Sequence, residues 1–360
     1  MKTARSIAFV CAAVFALTVI ASYASADVIL NAIGLAGNRL VSQQAGDGSW
    51  PGETGFTGSI VAGMVNAYQV TGTASYKTTA ESGGNWILSN SVPNLYGDEA
   101  YGLTCLSTIA PDPNSNSYRT AASNFYQAVK TSGSGTAGYI AGFTGTEPSN
   151  AVFYLSEHAA AAYYVNAADK AIWRQGLINF LATVENSTAN SPVMSLGVAT
   201  WALAQTGAMD GTYINLSAPL SSYWYGKKLV DLPGLLAGHQ VTSGDNAGSF
   251  FWRFDHTAPG GGDSSGFTED TVFGTLGLIA ADNGNPALGY DDEILTARTV
   301  LAGGVGGDGK VYEHIWSGGA NYHVYAGETL QALPEPATLS VLVVGGLLAL
   351  VRRRRRPAGA

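Results

Sequence analysis

Carboxylates are the side chains in this sequence best placed to do chemistry. Asp98, Glu99, Glu157, Glu269, Asp270 and Glu328 fall at or near the starts of apolar, helix-forming stretches. Two carboxyl groups facing each other across a cleft can cleave a glycosidic bond, one protonating the leaving oxygen while the other activates water or attacks the sugar. The same positions have a plainer explanation, because acids near a helix N-terminus are favoured by the macrodipole. Glu157 fits that explanation least. It sits inside its stretch among Phe153, Tyr154, Ala159 and Ala160, where a carboxyl must be paired or hold its proton unusually tightly. His158 beside it reads as a structural companion. Asp98, Glu157 and Asp270 are the carboxylates we take forward as candidates for a cleft.

His256, His314 and His323 are further candidates in the late part of the chain. Asp255-His256 and Glu313-His314 have neither the i, i+4 nor the tight-loop spacing of a known metal site, so neither a metal nor a cofactor is expected. The segment Thr242 to Gly266 is rich in Gly, Ser and Asp and carries Phe250, Phe251, Trp252, Phe254 and Asp255. Aromatic rings in such a polar loop can stack on the apolar face of a sugar, or they can simply pack onto the body of the protein.

Helices must position these groups. Apolar periodicity gives twelve of them, with few runs that alternate like strands: Val28 to Gln44, Ser59 to Val70, Ser75 to Leu88, Asp98 to Ile109, Ser117 to Val129, Ala151 to Val165, Ala167 to Val184, Val193 to Gln205, Leu229 to Gln240, Thr268 to Ala281, Asp291 to Leu301 and Tyr322 to Leu333. One set is amphipathic and carries Arg39, Lys77, Arg119, Lys130, Lys170, Arg174 and Arg298. The other, typified by Ser59 to Val65 and Ser195 to Ala202, is small, apolar and free of charge along its middle. A helix apolar on all sides is buried on all sides. Outer amphipathic helices alternating with inner buried ones describe an (α/α)6 toroid, with inner helices beginning near Ser59, Asp98, Ala151, Val193, Thr268 and Tyr322. Thr71-Gly72, Thr206-Gly207 and Asp282-Asn283-Gly284 suit left-handed helix caps. An open solenoid is the competing arrangement and would need a hydrophilic cap at each end.

The first turn between an outer and an inner helix reads Gln44-Ala45-Gly46-Asp47-Gly48-Ser49-Trp50. Gln44, Gly48 and Trp50 resemble the Gln-x-x-x-Gly-x-Trp repeat of the squalene cyclase and prenyltransferase toroids, in which the Gln bonds the backbone of the next turn. Looser echoes run from Gln240 through Gly248 to Trp252 and from Gly306 to Tyr312. The resemblance implies the α/α fold. It does not imply the family's reactions, since no Asp-x-Asp-Asp is present and Asp98 and Cys105 are not spaced like a zinc set.

Both ends of the chain read as addresses. Lys2 and Arg5 precede an apolar run, Ile7 to Ile20, and Ala24-Ser25-Ala26 offers small residues for cleavage between Ala26 and Asp27. The first 26 residues are thus expected to be a signal peptide read by the Sec machinery and signal peptidase. At the other end, Pro334-Glu335-Pro336 is followed by the apolar Leu339 to Val351 and then by Arg352, Arg353, Arg354, Arg355 and Arg356. Five arginines hold that end in the cytoplasm, and the apolar stretch, with help from its flanks, can span the bilayer. Motif, helix and basic terminus together resemble the PEP-CTERM sorting signal. That resemblance implies an exosortase partner, a transient membrane anchor, and a cell-surface or matrix destination in a Gram-negative bacterium that secretes polysaccharide.

Residues 27–333 are expected to form a single domain, with 334–360 as the sorting tail. That body carries 11 Lys and Arg against 25 Asp and Glu, a net charge of −14. Such a surface excludes nucleic acid as a partner and favours neutral or amino sugars over polyanions. Cleavage after Ala26 would leave Cys105 as the single cysteine, expected in the core. Two functions are compatible with these features. We favour a non-enzymatic surface or matrix protein that binds or scaffolds extracellular polysaccharide; the alternative is a polysaccharide-active hydrolase or lyase with its carboxylates in the toroid funnel.

Overall fold

The computed structural model describes residues 26–110, 114–207, 209–256, 265–315 and 318–333. The signal segment ahead of Ala26, Pro334, Glu335, Pro336, the apolar tail and Arg352 to Arg356 lie outside the described residues. Within them the protein is all-α. Thirteen helices and a few isolated bridges are present, with no strand. No helix among the described residues is long and apolar enough to cross a membrane.

Helix α1 spans 26–43 and buries Ile29, Ala32, Ile33, Ala36 and Leu40, a single stripe at helical spacing. There follow α2 (Thr57–Thr71), α3 (Ala74–Asn90), α4 (Gly97–Leu106), α5 (Asn114–Thr131), α6 (Gly135–Ala141), α7 (Pro148–Tyr164) and α8 (Lys170–Leu181). Then come α9 (Pro192–Gln205), α10 (Leu232–Ala237), α11 (Thr268–Gly284), α12 (Asp291–Gly303) and α13 (His323–Ala332). Pro148 and Pro192 open α7 and α9 at the first turn, where a missing N–H costs nothing.

Six of these helices pack in a closed order: α2 against α4, α4 against α7, α7 against α9, α9 against α11, α11 against α13, and α13 back against α2. They are the apolar set. In α9, every residue from Pro192 to Leu203 is buried. The amphipathic helices lie against this set, α3 on α2, α5 on α4, α8 on α7 and α12 on α11. Small residues let the inner backbones touch. A Cβ added to Gly63 of α2 would lie 2.0 Å from the carbonyl oxygen of Gly327 in α13, and one on Gly102 of α4 would lie 2.5 Å from that of Gly58.

Glutamine side chains close the turns at Gln44 and Gln240. Gln44 Nε2 donates to the carbonyls of Gly48 (2.9 Å) and Thr79 (2.9 Å), and the buried Trp50 indole donates to Leu40 O (3.0 Å). Gln240 repeats this, donating to Gly248 O (3.2 Å) and to Glu293 O in α12 (2.8 Å). Gly48 and Gly248 have φ of +95° and +97°, which puts each turn directly against the backbone of the next outer helix. The third turn lacks the glutamine but keeps the loop closure, Gly306 N to Lys310 O at 2.9 Å.

Some details differ from the sequence reading. There is a thirteenth helix, α6, whose seven residues are too few to show a period. The stretch Leu229 to Gln240 is a single 3-10 turn followed by the short α10. Gly72 and Gly207 take left-handed conformations (φ +68° and +71°), whereas Gly284 remains helical and α11 ends at an extended Asn285. Cys105 sits half-buried at the edge of the core rather than inside it.

Candidate functional site

Acids gather where the inner helices begin, and several of them serve a neighbouring helix rather than their own. Asp98 at the start of α4 accepts from Gly58 N in the first turn of α2 (3.1 Å). Asp270 in α11 likewise takes a backbone hydrogen bond from Met194 in α9. Glu53 accepts from His323 N (2.6 Å) and Val324 N (2.8 Å) at the start of α13. Orphan N–H groups at a helix terminus suit a carboxylate, so these contacts fix adjacent helices to one another.

Other carboxyl oxygens near these helices have no protein partner. Glu157 Oε2, Asp270 Oδ1 and Glu328 Oε2 are buried without a hydrogen-bond partner, on residues that are 5%, 4% and 2% exposed. Burial raises the Glu157 carboxyl well above its usual range, and the charges of Asp98 and Glu328 add to the effect. Glu328 is raised well above its usual range by burial and then by Glu269, Asp98 and Glu53. Asp98 is pushed up to about 7 by burial and by Glu99. No lysine or arginine contributes to any of these shifts. The carboxyls therefore hold protons where isolated ones would have lost them.

Beside this cluster lies a cavity of about 300 Å3, between the N-terminal ends of α9, α11 and α13. Asn190 and Ser191 line it ahead of α9; Phe267, Glu269 and Asp270 line it from the start of α11. Tyr325 of α13, Trp252 and Glu313 complete the wall. Two loops bring the last two residues in. Val193 N donates to Trp252 O (3.3 Å), tying the aromatic segment to the first turn of α9. Thr268 N donates to Glu313 O (2.9 Å), Thr268 Oγ1 to Tyr312 O (2.5 Å) and Ile315 N to Gly266 O (2.9 Å), which stitches the loop carrying Glu313 to the start of α11.

Electrostatically the cavity is acidic. Burial, then the charge of Glu313, pushes Glu269 up to about 7. Asp270 is raised well above its usual range by burial and by Glu269. Burial, then the charges of Glu269, Glu313 and Glu328, raises the Tyr325 hydroxyl. A carboxyl that is half-protonated near neutrality can donate a proton, and a second carboxyl nearby can accept one.

The residues singled out from sequence separate into groups. Asp270 lines the cavity. Asp98 and Glu157 do not line it, and their helices touch: a Cβ on Gly97 would come within 3.0 Å of Glu157 Oε2. His158 is not the companion of Glu157. One residue further along α7 it is buried against α5 and α8, hydrogen-bonded to Tyr126 Oη (3.2 Å) and close to Trp173 (ring centroids 4.9 Å), and burial lowers it to about 3. His314 packs at a tilt on Phe267 (centroids 4.3 Å) and His256 lies near Trp252 (6.1 Å), so each backs a cavity ring. His323 Nδ1 lies 2.8 Å from Glu53 Oε1 at the start of α13. Among the described residues, no group of three or more His, Cys, Asp or Glu is arranged to hold a metal ion.

Phe250 and Phe254 of the aromatic segment pack inward, Phe254 stacked on Tyr223 (3.6 Å between centroids); Trp252 reaches the cavity. Asn190, Ser191 and Tyr325 carried no signal in the sequence, since only folding brings their two chain segments together. No protein-family model matches this chain, and no curated protein matches it.

Proposed function

We propose that this chain is an exported surface or matrix protein whose helices form an (α/α)6 toroid, and that the mouth of its funnel binds extracellular polysaccharide. The closed packing order α2, α4, α7, α9, α11, α13 supports the toroid, because an open solenoid leaves its first and last helices without mutual contact. The glutamine turns at Gln44 and Gln240 support the likeness to the cyclase and prenyltransferase toroids. The PEP-CTERM resemblance of Pro334 to Arg356 supports processing by exosortase and a surface destination.

One observation carries the sugar reading: a single cavity combines the rings of Trp252, Phe267 and Tyr325 with the carboxyls of Glu269, Asp270 and Glu313. Rings offer a flat apolar surface for the C–H face of a pyranose, and carboxyls and amides bond its hydroxyls.

A second reading rests on Glu269. A carboxyl titrating at about 7 beside another carboxyl is the arrangement a glycoside hydrolase uses. In that reading Glu269 protonates the leaving glycosidic oxygen, and Glu313 takes a proton from the water that attacks the anomeric carbon. Incubating the purified protein with extracellular polysaccharides and following both retention and chain ends separates the readings. Retention with no new reducing or unsaturated ends is the binding outcome, and new ends make the protein a hydrolase or lyase. Neither retention nor new ends contradicts both.

A further inference from the structure

We infer that the cavity selects a sugar bearing a free amine, so that the ligand is a hexosamine unit of a polysaccharide whose amino groups are not acetylated. This inference rests on the polysaccharide reading above and specifies its ligand. The first ground is the composition of the wall. Three of the eight lining residues are acids, and none is Lys, Arg or His. Arg253 stands over the Trp252 ring (5.4 Å), but its guanidinium pairs with Asp255 (3.3 Å) and donates to Asn186 O (2.9 Å).

The second ground is a vacancy in the hydrogen bonding. Asp270 is 4% exposed and its Oδ1 has no partner, although it belongs to a cavity wall. A buried acceptor left unpaired costs free energy that a ligand donor recovers. An ammonium group brings three donors and a charge, whereas a neutral hydroxyl brings one donor and no charge. The third ground is the crowding of acids. Glu269, Asp270, Glu313 and Glu328 act on one another. Retained protons hold that repulsion off in the free site; an ammonium favours the ionised carboxyls and gains their attraction in a site screened from water, whereas a neutral sugar does neither.

The rings complete the fit. Trp252, Phe267 and Tyr325 attract a cation through their faces as well as the apolar side of a sugar. At about 300 Å3 the cavity stands at the small end of ligand pockets, suited to one ring of a chain. An N-acetyl group removes the charge and adds bulk. A uronic acid places a carboxylate against three others.

The test compares tetrasaccharides of one linkage on the purified protein near neutral pH: glucosamine, N-acetylglucosamine, glucose and glucuronate. The glucosamine chain should bind at least about tenfold more tightly than the others, which is about 1.4 kcal/mol. Glu269→Gln and Asp270→Asn should each erode that preference, the glucosamine chain losing more affinity than the glucose chain does. Because Asp270 also bonds the start of α9, each variant is first checked for an unchanged unfolding temperature; the ligand series on the wild-type protein stands without them. Equal or tighter binding of the glucose or N-acetylglucosamine chain overturns the amine selectivity and leaves the polysaccharide reading intact. Failure of all four chains to bind overturns the selectivity and counts against the polysaccharide reading itself.

Discussion

Glu53 and His323 are 270 positions apart in the chain, yet they meet where the last inner helix begins. The Glu53 carboxylate accepts the backbone N–H groups of His323 and Val324, and the His323 ring closes on the same oxygen. This contact joins the turn before α2 to the start of α13, the two ends of the inner-helix order. Burial alone would raise the Glu53 carboxyl, but the hydrogen bonds from His323 and Val324 outweigh it and hold it below its usual value.

Removing that carboxylate should loosen the closure. Glu53→Ala leaves two helix N–H groups unpaired in a buried position and is expected to cost about 1–3 kcal/mol. Glu53→Gln retains one acceptor and should cost less. Urea denaturation of both variants measures the difference, and equal stability for Glu53→Ala and wild type would show that the contact does not hold the start of α13 in place.

Close approach of the inner helices gives a sharper contrast. Gly63→Ala forces a methyl to within 2.0 Å of Gly327 O, so α2 and α13 must separate, at a cost of about 1–3 kcal/mol or more. Gly34→Ala, in α1, meets nothing within 4 Å and should stabilise by about 0.5–1 kcal/mol through helix propensity. Thermal unfolding of the two variants should move in opposite directions.

Stability should fall as pH rises through the acid-to-neutral range. The Asp98 carboxyl moves from 3.8 in the unfolded chain to about 7 in the folded protein, through burial and the neighbouring Glu99. Glu157, Asp270 and Glu328 shift in the same direction. A raised carboxyl contributes its stability fully below the unfolded value and loses it as pH climbs through the folded one. For Asp98 the loss is on the order of 4 kcal/mol between about pH 4 and pH 7. Glu53, held low, acts oppositely: its contribution is full above the ordinary carboxyl value and is lost as pH falls from there through its depressed one. Chemical denaturation at a series of pH values should therefore show a decline toward neutrality, flattened in Asp98→Asn. A rise over that interval contradicts the assignment.

Processing at both ends is open to mass spectrometry. Protein recovered from the cell envelope or medium should begin near Asp27 and lack Arg352 to Arg356. An intact arginine tail in the mature pool, or unchanged sorting when Pro334, Glu335 and Pro336 are all replaced by Ala, contradicts the exosortase reading.

The helices were legible because burial writes itself into periodicity. Ser59, Asp98, Val193, Thr268 and Tyr322 lie within two residues of where the inner helices begin, and Ala151 within three. The short α6 was not legible, since seven residues including two glycines show no stripe. Asp270 could be picked out as an acid at a helix start, but its partners could not. Glu313 reads in sequence as the neighbour of a histidine, and only the stitching of its loop to Thr268 turns it toward Glu269. Glu53 stands in a glycine-rich turn with no period, and its partner is too remote for any local pattern to indicate.

The central claim is that polysaccharide occupies the cavity between α9, α11 and α13, with Trp252 as its platform. Calorimetric titration of an oligosaccharide into wild type and Trp252→Ala tests it most directly. The account predicts saturable binding to wild type and about tenfold weaker binding to Trp252→Ala, as expected for loss of a ring contact of about 1–1.5 kcal/mol, with the unfolding temperature unchanged. Equal affinity in the two proteins, or no saturable binding to wild type, would contradict it.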